Sequence, residues 1–246
     1  MKERIITGIF LVLIVLGVGY FDNYYLIWLF LGGLYLVAIF ESLKLYKLPK
    51  SMNYYTISLA LWISILYSQN SLSPLLILGS TFLGLIAYRP ELDKKLFLPF
   101  IYPTIPFLIL FDLYQNFGIQ LLAWLILIVA LTDTMAYFVG RTIGKRKFSP
   151  TSPKKTIEGV LGGIFFGTLA GYFLGNYILD FQLNNILLLS FVVSVFSIFG
   201  DLFESYLKRE ANIKDSGTFL PGHGGILDRV DGYMLSSVVL FAILNW

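Results

Sequence analysis

The apolar residues of this chain of 246 residues come in runs long enough to cross a membrane, separated by short polar breaks. About 20 consecutive apolar residues make one transmembrane helix. The runs fall at about 5–21, 25–40, 54–67, 75–88, 96–113, 121–139, 160–179, 186–199 and 226–246. Charge placement tests that division. Lys2 and Arg4 precede the first span, and Lys44, Lys47 and Lys50 follow the second. Arg89, Lys94 and Lys95 follow the fourth, and Arg141, Lys145, Arg146, Lys147, Lys154 and Lys155 follow the sixth. Lys208, Arg209 and Lys214 follow the eighth, and Arg229 lies just inside the ninth. These are all 18 Lys and Arg of the chain, and the alternate connections at 22–23, 68–74, 115–120 and 180–185 carry none. Basic residues are retained on the cytoplasmic side of a membrane. The pattern predicts an all-α, polytopic integral membrane protein with about nine transmembrane helices, its N-terminus cytoplasmic and its C-terminus outside. The opening Met-Lys-Glu-Arg resembles the charged start of a signal peptide. No small-residue cleavage site follows, so the first span reads as a retained helix.

Composition narrows the function classes. Charged residues make up 13% of the chain and hydrophobic ones 57%, with a mean hydropathy of +0.76. A soluble domain is about 25% charged. An ordinary soluble enzyme, a disordered chain and a nucleic-acid binder with a basic face are therefore excluded. There is no cysteine and a single histidine, His223, which excludes disulfides, thiolate metal sites and histidine-clustered zinc. A metal here would be held by oxygen, which favours Mg²⁺, Mn²⁺ or Ca²⁺.

Two regions separate by content. Residues 1–115 read as about five helices, the first four without recognisable chemistry, the fifth bent or broken by Pro99, Pro103 and Pro106. Residues 116–246 read as a catalytic region of about four helices with two cytosolic loops. Its seventh span carries Gly163, Gly167, Gly171 and Gly175 on one face, which suits close helix packing within the protomer or across a dimer.

The carboxylates at membrane depth carry the chemistry. The run 186–199 would reach only about 21 Å at the helical rise, short of a hydrocarbon core of about 30 Å. Asp201 and Ser205 are therefore expected inside that span. By the same argument the ninth span needs Asp228, Arg229 and Asp231. Asp133 lies two turns before the cytosolic end of the sixth span. Ionisable groups inside a span are costly and face cavities or partners. Four carboxylates at one depth repel unless cations intervene, and the bland alternative is ion pairing with Lys208, Arg209 and Arg229. Between spans eight and nine run Lys214-Asp215-Ser216-Gly217 and Pro221-Gly222-His223-Gly224-Gly225. Glycines let backbone N–H groups approach phosphate oxygens, and the loop enters a helix N-terminus, whose dipole favours anions. The other long loop, with Ser152-Pro153-Lys154-Lys155-Thr156, suits topology signalling, anionic lipid or the same phosphate pocket.

Residues 205–231, from Ser205-x-Leu207-Lys208-Arg209 through Lys214-Asp215-x-Gly217 and Leu220-Pro221-x-His223-Gly224-Gly225-Ile226 to Asp228-Arg229-Val230-Asp231, resemble the signature of the phosphatidate cytidylyltransferases, or CDP-diacylglycerol synthases. Ser152 to Thr156 with Glu158-Gly159 resembles that family's second motif, and Asp133-x2-Ala136-Tyr137 with Gly140-Arg141 its approach to it. The resemblance covers about residues 130–232. It implies transfer of the cytidylyl group of CTP to phosphatidate in the membrane, releasing pyrophosphate. It also implies a cytoplasmic-facing site in the cell (inner) membrane and a homodimer. On this reading Asp201 and Asp228 are the main Mg²⁺ ligands, and Asp231 orients them or holds a second cation. Lys208, Arg209, Lys214 and the glycine loop hold the triphosphate. Lys154, Lys155 and Arg229 hold the lipid phosphate or the leaving pyrophosphate. His223 contacts phosphate, Asp215 orients the loop, and Ser152, Ser205, Gly224 and Gly225 join the substrate contacts. Two neighbouring chemistries share these features, a CTP-dependent polyprenol or phytol kinase and an ether-lipid cytidylyltransferase. A transporter would suit the intramembrane carboxylates, but no inverted repeat is present and the carboxylates lie at one face instead of the midplane.

Overall fold

The structure, a computed structural model, describes residues 2–68, 70–179 and 184–246. The expected connections at 68–74 and 180–185 lie partly outside the described residues, as do the side chains of Lys2 and Arg4. The described residues are helical, without a named strand: α1 (Lys2–Phe21), α2 (Tyr24–Leu45), α3 (Met52–Ser64), α4 (Ser73–Tyr88), α5 (Leu98–Ile101), α6 (Thr104–Ile143), α7 (Ile157–Ile178), α8 (Ile186–Glu210) and α9 (Leu227–Leu244). Four stretches, 24–45, 94–143, 157–178 and 186–210, are long and apolar enough to cross a membrane. In hydrocarbon a helix satisfies its own backbone, so an apolar chain of this kind has few other options.

The expected fifth span is interrupted. A 3-10 turn at Lys94–Phe97 leads into α5, which ends at Tyr102, and α6 restarts at Thr104 after Pro103. Proline has no N–H to continue the ladder and disfavours helix in the residue before it. Within the polar connection expected at 115–120, α6 is broken at Gly118, whose non-helical φ of 75° and ψ of −177° join two helical segments and are adopted by glycine without strain. At α8 the length argument holds, because the helix carries Asp201 and Ser205 on to Glu210. The helix α9 likewise includes Asp228, Arg229 and Asp231.

The chain divides into two compact units, 1–112 with 210–229, and 113–209 with 230–246. The loop after α8 therefore packs with the N-terminal helices, although the sequence places it in the C-terminal region. In the first unit Asn23 caps α2 by accepting from Tyr25 and Leu26 N–H, both at 3.1 Å. Trp28 and Trp62 each donate their indole N–H to the other's carbonyl at 3.2 Å. Gly32 lets the Trp62 ring lie against the α2 backbone. Tyr35, buried against Phe107, bonds Thr104 Oγ1 at 3.0 Å. Buried polar groups in such a core need partners, and these indoles and hydroxyls find them locally.

In the second unit the glycine face of α7 meets α6 and α8. A Cβ on Gly163 would stand 2.7 Å from the Thr132 carbonyl oxygen, and one on Gly171 would stand 2.7 Å from Ile128 Cδ1 and Ser190 Oγ. The Trp124 indole donates to Gly171 O at 2.7 Å across that contact. The close packing is thus made within the chain, and the face that suggested a homodimer is already covered.

Candidate active site

The first unit holds a loop built around two carboxylates. Asp228, in the first turn of α9, turns back so that Oδ2 accepts from Gly225 N–H at 2.8 Å and from Ser216 N–H at 2.9 Å. Ser216 Oγ lies 3.0 Å from the same oxygen and 3.0 Å from Glu41 Oε2 of α2, so its one proton serves either carboxylate. Glu41 is 1% exposed. Its Oε1 accepts from Ile226 N–H at 3.0 Å and its Oε2 from Leu227 N–H at 2.9 Å. The first N–H groups of a helix lack intrahelical partners, and a carboxylate there also meets the positive end of the dipole. Glu41 therefore fills the anion position at the start of α9. The Gly225 N–H, offered to substrate in the sequence, donates to Asp228.

The tip of the loop stays open. Leu220 N–H donates to Gly224 O, and His223 N–H to Leu220 O, both at 2.9 Å. Gly224, at φ +84°, makes that turn, and a Cβ on it would stand 2.6 Å from Asp228 Oδ2. The Arg229 guanidinium clamps His223 O through Nε at 3.0 Å and Nη2 at 2.8 Å. A cavity of about 580 Å³ opens here, lined among others by Lys214, Asp215, Thr218, Gly222, His223 and Arg229. Two cations, an imidazole and glycine backbone around an open cavity suit a polyanion. Two neighbours come from α1. Thr7 Oγ1 donates to Pro221 O at 3.2 Å, and Gly8 leaves room for the His223 ring, whose Nε2 would be 3.7 Å from an added Cβ.

The second unit holds a different centre. The loop before α7 folds as a tight hairpin: Phe148 N–H donates to Lys155 O and Ile157 N–H to Arg146 O, both at 2.9 Å. Glu158 Oε2 accepts from Lys145 and Arg146 N–H at 3.0 and 3.2 Å, and Thr156 caps α7 through Gly159 N–H at 3.1 Å. The hairpin aims Lys155 Nζ at Asp201 Oδ2, 2.6 Å away, while Ser205 Oγ donates to Asp201 Oδ1 at 3.2 Å. Lys154 next to it is exposed. Asp201 is paired with a cation from the other loop, Lys155. Asp231 lies within electrostatic reach of Asp133, Asp201 and Lys208. Gly200 brings α8 against the Asp231 backbone, where any side chain would collide. Lys208 Nζ pairs with buried Glu204 at 3.3 Å, and Arg209 is exposed. Ser152 is half-buried at the hairpin turn.

Among the described residues no three Asp, Glu or His side chains stand at metal-ligating spacing. The donor set still fits Mg²⁺, which binds through one or two carboxylates and keeps waters. Hard oxygen donors on Asp201, Asp231 and Asp133 share one electrostatic neighbourhood.

The whole chain is covered by one family. Residues 2–246 match the cytidylyltransferase family. The chain belongs to the cytidylyltransferase family. It is accordingly a nucleotidyltransferase. Among its relatives is a protein named phosphatidate cytidylyltransferase from Helicobacter pylori strain J99, 38% identical over 243 residues, covering 99% of this chain and 91% of the relative. One of the same name from Bacillus subtilis is 34% identical over 272 residues, covering 99% and 97%. One from Staphylococcus aureus strain COL is 45% identical over 130 residues, about half of each chain. The sequence reading confined the resemblance to about 130–232, whereas the family match extends into the N-terminal helices. Glu41 is the residue of that region it missed. The sequence signal for it is a lone acidic residue near the end of an otherwise apolar span.

Proposed function

We propose that this chain transfers the cytidylyl group of CTP to phosphatidate, giving CDP-diacylglycerol and pyrophosphate, at the cytoplasmic face of the cell membrane. The observation that carries the reading is the near full-length match to relatives named for that reaction. The charge alternation of the loops supports the cytoplasmic orientation and the count of nine spans.

A phosphatidate phosphate oxygen attacks the α-phosphorus of CTP, the bond to the β-phosphate oxygen breaks, and pyrophosphate leaves. The nucleophile is ionised at neutral pH, so positioning and charge neutralisation do the catalysis. Lys214, the open tip around His223, Lys208 and Arg209 hold the triphosphate. Arg229 holds the tip in shape through His223 O. Lys155, aimed by its hairpin, neutralises phosphate charge beside Asp201, and Ser205 orients that carboxylate. Lys154 and Ser152 serve the lipid headgroup. The sequence makes Asp201 and Asp228 the main Mg²⁺ ligands with Asp231 beside them; the residues proposed here to hold Mg²⁺ are Asp201 and Asp231, because Asp228 is engaged by Ser216 and Gly225. Bound Mg²⁺ supplies charge neutralisation to the two polyanions as they meet.

The test is a transfer assay on purified protein with phosphatidate, Mg²⁺ and CTP labelled at the α or the γ phosphate. Label from the α position enters the lipid and γ label leaves as pyrophosphate. Entry of γ label into an added prenol, with none from α, would make the chain a lipid kinase. An ether-lipid acceptor preferred to phosphatidate would move the substrate assignment. EDTA abolishes transfer and leaves the helical circular dichroism unchanged.

A further inference from the structure

We infer that Glu41 is a positioning residue for the nucleotide, because its buried carboxylate holds the loop 211–226 in the shape that receives the CTP triphosphate. The inference rests on the proposed use of CTP. A buried carboxylate costs several kcal/mol unless hydrogen-bonded. The Glu41 carboxylate accepts from Ser216 Oγ, Ile226 N–H and Leu227 N–H, all on this loop or at its junction with α9. Two loop glycines are where they are because of it. A side chain on Gly217 or Gly225 would collide with the Glu41 carboxylate. Asp228 then completes a cage from the α9 side through Ser216 and Gly225.

The consequence is a division of labour. Carboxylates occupy the buried base of the loop and consume its inward N–H groups. Lys214 and the Gly222–Gly224 tip face the cavity instead. Substrate phosphate therefore binds on the outer side, and its affinity depends on a shape set from α2. Glu41 is not among the residues that line the cavity, whereas Gly217, against which its carboxylate lies, is; it acts through the loop.

The experiment compares wild type with Glu41→Gln and Ser216→Ala. Glutamine keeps the shape but turns one acceptor oxygen into an NH₂ that opposes the donors. Alanine at 216 removes only the bridging hydroxyl and keeps the backbone bond to Asp228. Initial rates are measured against CTP at saturating phosphatidate and the reverse, with amide exchange of peptides covering 211–229. KM for CTP rises roughly ten- to hundredfold in Glu41→Gln, the range for losing hydrogen bonds to a charged group. It rises about three- to tenfold in Ser216→Ala. KM for phosphatidate stays within about twofold, and exchange of the 211–229 peptides quickens in both. A fall in kcat with both KM values unchanged marks a merely structural cap and overturns the inference. If Glu41→Gln does not fold, Ser216→Ala alone decides. Wild-type protein that transfers no cytidylyl group overturns the function; wild-type transfer with an unmoved KM for CTP overturns only the role of Glu41.

Discussion

Asp228 and Asp201 are both carboxylates near the end of a helix, yet their surroundings differ. Asp228 Oδ2 takes donors from Ser216 and Gly225, whereas Asp201 pairs with Lys155 and Ser205. Substitution separates the two roles. Asp228→Asn places an amide against those donors, so activity falls by about a hundredfold or more and amide exchange over 211–226 rises. If Asp228 served only as a metal ligand, added Mg²⁺ would restore much of the rate and exchange would not change. The neighbouring lysines also separate. Lys155→Ala leaves Asp201 near Asp231 and Asp133 without its cation, and kcat drops roughly ten- to hundredfold. Lys154→Ala, at an exposed position, changes kcat by no more than about threefold. Equal losses in both variants would mean that the hairpin acts as a general basic patch.

At the scale of elements, α7 is held by what its glycines lack. A methyl group on Gly163 meets the Thr132 carbonyl and Ala136, both on α6. Gly163→Ala therefore lowers stability by about 1–3 kcal/mol, read as an earlier thermal transition in detergent. Gly84 in α4 has nothing within 4 Å of an added Cβ, so Gly84→Ala stays within about 1 kcal/mol of wild type. A large loss at Gly84 instead would mean that α4 is packed by something beyond the chain. The two functional loops show the same economy. Each is short, hydrogen-bonded to the start of the helix it precedes, and capped by an acidic or hydroxyl side chain. That rigidity aims Lys155 and shapes the loop tip at His223.

For the whole molecule, orientation is the open quantity, and the chain is suited to measuring it because it has no cysteine. Single cysteines at Lys47 and Lys147 label from the cytoplasmic side, and one at Asn116 labels from outside. Any reversal at Asn116 removes a span and breaks the charge alternation. Much of this protein was legible without coordinates. The helices, the interruption at Pro103 and the inclusion of Asp201 in its span follow from local rules, because hydrophobic run length, proline chemistry and helical rise act over neighbouring residues. The loop motifs were legible because their glycines and charges are contiguous. Tertiary structure alone decided that a carboxylate from α2 fills the start of α9. It also decided that Lys155 pairs with Asp201, and that the α7 glycines face α6 and α8. Each of these joins residues far apart in the chain, and burial makes a distant partner obligatory without naming it: an acidic residue in a span announces that it needs donors, and only packing determines whose donors they are.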